Sequence, residues 1–416
     1  MPLLLVIYLA FIGLGLPDSL LGSAWPAMHA DLGAAVSVGG FVSMTTCSCT
    51  ILSSLLCGRL IRRFGTGRLV LGSVALTAVA IFGYSCCTEF WQLIAWAVPY
   101  GLGAGAVDAA LNAYAAIHYE ARHMNWLHCM WGIGSSAGPV VMSRMVLSAA
   151  GWRGGYRVVG AFQLVITLCL VLSLRLWDAR GVDEDAAAGA TGPRGLALLR
   201  LPGAWQALVG FFCYCALEST SGLWAATYMV LARGASADLA ALFAGLFYLG
   251  ITLGRLVSGF LTLRLSGQQL QHLGEYLAAA GVALLILAPG EYLAGCGLFL
   301  VGLGCSPIYP QMIQLTPERF GEENATSIMG IQMAFAYVGS LAVPPIAGLL
   351  IGHVSPWCFP VVAVVLVVSM TACLTSCDRA TGDARRVGRG TPALRDRFGS
   401  TRGEQVVTDG PHTAQK

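Results

Sequence analysis

Pro17-Asp-Ser-Leu-Leu-Gly-Ser-Ala-Trp25 and Leu217-Glu-Ser-Thr-Ser-Gly-Leu-Trp224 follow one pattern, an acid and a serine, then a glycine, then a tryptophan, about 200 residues apart. Two other stretches repeat at nearly the same distance. Gly101-Leu-Gly returns as Gly302-Leu-Gly, and Gly58-Arg-Leu-Ile-Arg-Arg-Phe-Gly returns loosely as Gly259-Phe-Leu-Thr-Leu-Arg-Leu-Ser, both offset by 201. A chain with 52 glycines produces single matches by chance. Three that agree to within two residues on the offset indicate an internal duplication.

The repeats lie in a chain of 416 residues that is 56% hydrophobic and 11% charged, with a mean hydropathy of +0.71. Soluble domains carry roughly 25% charged residues, so this composition excludes a soluble enzyme and points to lipid. Apolar runs long enough to cross about 30 Å of hydrocarbon fall at 2–28, 36–58, 68–87, 90–117, 124–149, 155–176, 205–231, 239–262, 273–289, 291–315, 325–351 and 357–376. Twelve such runs around a polar, two-signed segment predict an all-α membrane protein. Its expected parts are a six-helix half over 1–177, a cytoplasmic linker over 178–203, a second six-helix half over 204–376 and a disordered cytoplasmic tail over 377–416. Two parallel six-helix repeats about an axis along the membrane normal form a secondary-transporter architecture, with solute and ion held near the midplane between them.

Orientation follows from the basic residues. With a cytoplasmic amino terminus, 19 of the 24 fall on inside segments and three, Arg153, Arg157 and Arg233, fall outside, as the positive-inside rule requires. Leaving out the eight tail charges, the split is still 11 to three. Both termini are therefore expected in the cytoplasm of a multi-pass protein of the cell's inner membrane. No basic patch for nucleic acid stands out, the fourteen cysteines lack metal or redox spacing, and no nucleophile–base constellation appears. Enzymatic activity and a cofactor are accordingly not expected.

A mid-bilayer charge costs roughly 2.5–3.5 kcal/mol on insertion scales, so each one needs a reason. Asp18, Asp108, His128 and Glu218 stand well inside predicted helices, and Arg255 lies deeper than a snorkelling arginine usually does. The plainer reading makes them buried polar glue, paired with one another, with Asn112 or Gln163, or with backbone. The functional reading makes Asp108, Asp18 and Glu218 ion-coupling groups, because a carboxyl that is alternately dry and wet takes up and releases a proton. Pro17 would loosen the first helix and free carbonyls for a polar ligand. Trp25, Trp131, Trp224 and Tyr228 are rings on which a sugar can stack, and Asn112, Gln311 and Gln314 are amide partners for its hydroxyls. With Asp18, His128 and Glu218 they make up the expected solute site.

The chain resembles the major facilitator superfamily over residues 1–376. Gly58, Leu60, Arg63 and Gly65, running on to Arg68, match the family's motif between its second and third helices, except that Arg62 stands where that motif has aspartate. Within the family the chain is similar to the fucose/glucose permease-like sugar symporters. The likeness rests on Asp18, Val107-Asp-Ala-Ala-Leu-Asn112, Asn125-Trp-Leu-His128, Gly254-Arg255 and Pro307-Ile-Tyr-Pro310. It implies that Asp108 is the coupling acid, that Asp18 is a second acid near the sugar, and that His128 and Glu218 shape selectivity. Gly58, Arg62, Arg63, Gly65, Arg68, Gly254 and Arg255 would belong to the gates.

The expected activity is thus cation-coupled symport, by alternating access, of a small hydroxylated solute, foremost a monosaccharide, by a monomer in the bilayer. A proton is the first choice of ion, and sodium remains open. The alternatives are proton-antiport efflux of a drug-like or metabolic compound and a non-transporting solute sensor. Green fluorescent protein fused after Lys416 should fluoresce in cells while alkaline phosphatase fused there stays inactive; an active phosphatase would reverse the orientation.

Overall fold

The computed structural model describes residues 2–119, 121–178 and 198–390; most of the expected linker and the tail beyond 390 lie outside them. The described residues form thirteen α-helices, two short 3-10 turns and no strand. α1 (Pro2–Asp18) and α2 (Leu20–Asp31) make a single span interrupted at Ser19. Then come α3 (Gly39–Phe64), α4 (Thr66–Ser85), α5 (Phe90–His118), α6 (Ala121–Val146) and α7 (Gly151–Asp178). The second half holds α8 (Ala204–Arg233), α9 (Ala237–Leu261), α10 (Gly267–Leu287), α11 (Glu291–Phe320), α12 (Glu322–His353) and α13 (Cys358–Gly390). Counting the first two as one span, there are twelve, and ten are long and apolar enough to cross a membrane. The remaining two, α6 and α8, carry Trp131 and Glu218 of the cavity wall.

The break at Ser19 follows from Pro17, which has no N–H to give to the carbonyl of Gly13. In hydrocarbon such a carbonyl needs another donor. Gln163 of α7 supplies it, with Nε2 donating to the Gly13 oxygen at 2.6 Å. Gln163 is therefore committed to backbone rather than to the acids, and this carbonyl is not free for a ligand.

Duplicated glycines do the same work twice. Lipid tails are as apolar as leucine, so helices associate in the bilayer through close packing, which small residues permit. A Cβ on Gly101 of α5 would run into the carbonyl of Thr46 on α3, and one on Gly302 of α11 into the carbonyl of Phe247 on α9. The same pair of helices is thus pinned at the same place in each half. Gly22 and Gly222, matched in sequence, face one another: a Cβ on the first would strike the carbonyl of the second, where α2 crosses α8.

The seam between halves is built from α2 on α8 and α9, α3 on α12, and α6 on α9. Gly40 lies against Pro345, Gly245 against Pro139, and the hydroxyls of Ser136 and Thr252 meet at 3.3 Å. These contacts all sit toward the face of the bundle opposite the start of α1. α5 and α11 pack chiefly within their own halves, so the halves part toward the amino-terminal face.

The expected end of the last span at residue 376 is too early. α13 runs on to Gly390, and Asp378, assigned by sequence to the tail, is held by Arg319 at 2.8 Å and by His272 at 3.1 Å. Gln271 bonds both Arg319 (3.0 Å) and Glu275 (3.1 Å), so a polar network ties α10, α11 and α13 together at the amino-terminal face.

Because the Gly302 contact is with rigid backbone, Gly302→Ala should cost about 1–3 kcal/mol. Gly72→Ala, whose Cβ would meet nothing, should be neutral or slightly stabilising. Melting curves of the detergent-purified variants measure the difference.

Candidate functional site

A cavity of about 240 Å³ lies between the halves, just inside the seam. Its amino-terminal-half wall is made by Pro17, Asp18, Tyr84, Tyr100, Trp131 and Tyr156, and its other wall by Glu218, Ser219, Leu223 and Tyr248. The loosened turn at Pro17 leaves Asp18 at the end of α1 with its carboxylate exposed to the cavity. Tyr100 donates its hydroxyl to one Asp18 oxygen at 2.7 Å, and the Trp131 indole N–H donates to the other at 2.9 Å. Both donors are neutral.

Glu218 has a different environment. Its Oε1 lies 4.0 Å from Arg255, and the Arg255 guanidinium sits over the Trp131 ring, 5.3 Å from its centroid. Trp131 thus meets Asp18 with its edge and Arg255 with its face, a cation–π geometry. Tyr248 closes the floor, edge-on to Trp131 at 6.4 Å. Tyr84 packs on Tyr156 at 5.4 Å and on Tyr100 at 6.2 Å, which fixes the rings that hold Asp18.

The other expected residues lie at varying distances from this centre. Asp108 is eight residues beyond Tyr100 on α5, roughly 12 Å nearer the amino-terminal face. It is half-buried and takes a 2.9 Å hydrogen bond from Asn112. His128 is one turn before Trp131, exposed, and edge-on to Phe11 at 6.1 Å. Asp18, Glu218, Trp131 and Arg255 are therefore brought together, while Asp108, Asn112 and His128 follow in sequence along the diverging space.

Five residues expected at the solute site lie elsewhere. Trp25 is fully buried, with its N–H donated to the Val36 carbonyl at 2.8 Å. Trp224 is fully buried, with its N–H on the Pro344 carbonyl at 2.8 Å. The buried Tyr228 hydroxyl donates to the Leu285 carbonyl at 2.8 Å and accepts from Arg233. Gln311 is buried beside Gly267 at the start of α10, and Gln314 is exposed on α11. The three rings and Gln311 lie in helix seams, because a buried N–H or O–H is as well satisfied by a backbone carbonyl as by a ligand, and Gln314 is not among the residues lining the cavity.

Of the expected gate residues, Gly65 makes the α3–α4 turn at φ +79°, and Arg62, Arg63 and Arg68 are exposed around it, with Gly58 one turn and more before it on α3. Gly254 lets Ser306 of α11 approach α9 directly beside Arg255.

Tyr84, Tyr100, Tyr156 and Tyr248 were not marked by sequence reasoning. Tyr84 and Tyr156 lie near helix ends, where a tyrosine ordinarily signals the membrane interface, and no spacing sets them apart.

A profile of the Major Facilitator Superfamily matches residues 7–340. Among curated proteins the chain is similar to an uncharacterized MFS-type transporter of Yersinia pestis, 24% identical over 60% of this chain and 63% of that one, so it spans under two thirds of that relative. It is 21% identical to the glucose/mannose transporter GlcP of Bacillus subtilis, over 62% of this chain and 65% of the relative. It is 25% identical to a gentisate transporter of Corynebacterium glutamicum, over 81% and 76%. Among solved structures, the nucleoside transporter NupG superposes with a TM-score of 0.74 at 14% identity, covering 89% of this chain and 99% of that one.

Trp224→Phe removes a buried hydrogen bond and leaves a void where the larger ring packed, a loss of about 1–3 kcal/mol. Tyr100→Phe leaves an oxygen that the cavity can hydrate, a loss below about 1 kcal/mol. Thermal melts of the two variants should differ in that order; equal losses would put Trp224 in a wet site.

Proposed function

The chain belongs to the major facilitator superfamily, and from that membership we propose a secondary active transporter that carries a compact hydroxylated solute, a monosaccharide in the first instance, together with a proton. The observation carrying this reading is the cavity itself: each half contributes one carboxylate to it, and four tyrosines and a tryptophan line it beside them. Flat apolar faces beside acceptor oxygens suit a pyranose, whose ring faces are apolar and whose edge is a belt of hydroxyl donors. The named activity of the Bacillus glucose/mannose relative supports a sugar. Two acids on the wall argue against an anion of the kind for which the Corynebacterium relative is named.

In this reading the halves rock about the Gly22–Gly222 crossing. The cavity faces the amino-terminal side in the conformation described, which the basic-residue distribution assigns to the cytoplasm. Asp108, held by Asn112 in the diverging space, exchanges its proton with that side, and Asp18 holds the solute against Tyr100 and Trp131. The sign of coupling depends on competition: if solute and proton bind together the protein is a symporter, and if they exclude one another it is an antiporter.

Purified protein in proteoliposomes, offered a panel of labelled sugars under an imposed proton gradient, tests the reading. Asp108→Asn should abolish gradient-driven accumulation while retaining solute counterflow. Asp18→Asn should reduce both to the level of protein-free vesicles. Accumulation of a sugar at full rate by Asp108→Asn, still driven by the gradient, would remove Asp108 from coupling. Accumulation driven by sodium at constant pH would replace the proton.

A further inference from the structure

We infer that Trp131 and Arg255 form a charge-sensing latch between the halves, in which the ionisation state of Asp18 sets how firmly α6 is held to α9. The inference rests on the transporter reading for its purpose, but its geometry stands alone. Trp131 belongs to the first half and Arg255 to the second. The indole is fixed at its edge by the 2.9 Å bond to Asp18, and its face carries the Arg255 guanidinium at 5.3 Å. Arg255 has a second partner in its own half, Glu218, at 4.0 Å, the outer limit of an ion pair. One turn away along the same two helices, Ser136 and Thr252 touch at 3.3 Å. The arginine is thus shared between a ring across the seam and a carboxylate on its own side.

When Asp18 is ionised, the indole N–H donates to a charged acceptor, a bond about twice as strong as a neutral one, and the ring is held with its face toward Arg255. Protonating Asp18 turns that acceptor neutral. The ring loses its strongest restraint, Arg255 withdraws toward Glu218, and the α6–α9 seam loosens at Ser136 and Thr252. Tyr84, Tyr100, Tyr156 and Tyr248 also line the cavity around Asp18. The other ionisable groups facing it are Glu218 on α8 across the cavity and, further along, Asp108 on α5 and His128 on α6. Asp18 alone touches the indole. Trp131 and Arg255 are therefore positioning residues: they pass the state of the first half's acid to the second half's acid without bonding each carboxylate to the other.

The latch is read by cross-linking Ser136→Cys with Thr252→Cys in the full chain, with each single variant as the background for the native cysteines. Adding Asp18→Asn, which makes the acceptor permanently neutral, should lower the cross-linking rate roughly fivefold, the change from a charged to a neutral hydrogen bond. Trp131→Phe keeps a ring but removes the N–H; it should lower the rate by a similar factor and abolish any further effect of Asp18→Asn, as expected of two residues acting on one element. Arg255→Lys keeps the charge but not the flat guanidinium, and it provides the same comparison if Trp131→Phe does not fold. Full, additive sensitivity to Asp18→Asn in the Trp131→Phe or Arg255→Lys background would overturn the latch. Non-additivity in a protein that accumulates no solute would uphold the latch and sink the transporter reading instead.

Discussion

Two helices can cross in a bilayer only as closely as their smallest residues allow, and the crossing of α2 over α8 at Gly22 and Gly222 sets the geometry of everything around it. Because these glycines are sequence-matched, the contact lies on the pseudo-twofold axis of the molecule. The acids four residues before each glycine, Asp18 and Glu218, are thereby delivered to opposite walls of one cavity. Bulk at Gly22 would separate the acids along with the helices, and bulk at Gly222 would press on the Tyr248 hydroxyl in the cavity wall. Gly101 and Gly302 hold the supporting helices in register in the same way, so the position of the carboxylates depends on backbone approach more than on side-chain fit.

The scaffold is symmetric, but the chemistry within it is not. Asp18 is held by two neutral donors, and Glu218 stands opposite a guanidinium. A carboxylate among hydroxyl and indole donors can exchange a proton or a hydroxylated guest without first breaking an ion pair. The duplicated positions have thus diverged in their partners, with Trp131 in contact with the first acid and with the arginine that faces the second.

The parts of this arrangement legible in the sequence were those with an energetic penalty. Asp18, Asp108, Glu218 and Arg255 were conspicuous because charge in hydrocarbon is expensive, and the duplication was visible because backbone crossings admit only glycine. Trp25, Trp224 and Tyr228 were equally deep but uninformative: depth shows that an N–H or O–H needs an acceptor, and backbone carbonyls of neighbouring helices and turns supply acceptors that no pattern advertises. Tyr84 and Tyr156 were missed for the converse reason, since a tyrosine near a helix end is ordinary whether it faces lipid headgroups or a cavity, and Tyr100 and Tyr248, deeper in their helices, stand in no spacing that sets them apart. Gln163 could be marked as a partner but not matched to Gly13, because that pairing spans 150 residues and depends on how α7 packs against α1. The end of α13 was misjudged because charged residues past 376 read as solvent-loving until the buried Arg319 that Asp378 answers is known.

That last pairing bears on how the protein is made. Arg319 is buried at the carboxy-terminal end of α11, on the amino-terminal face of the bundle, and its carboxylate partner emerges 59 residues later. A buried ion lacking its counter-ion costs about 3–5 kcal/mol, so the second half cannot settle while α13 is still inside the ribosome or the insertion machinery. Completion of the second half therefore waits on its last helix, and a ribosome that stalls before residue 378 leaves a product whose uncompensated cation marks it as unfinished.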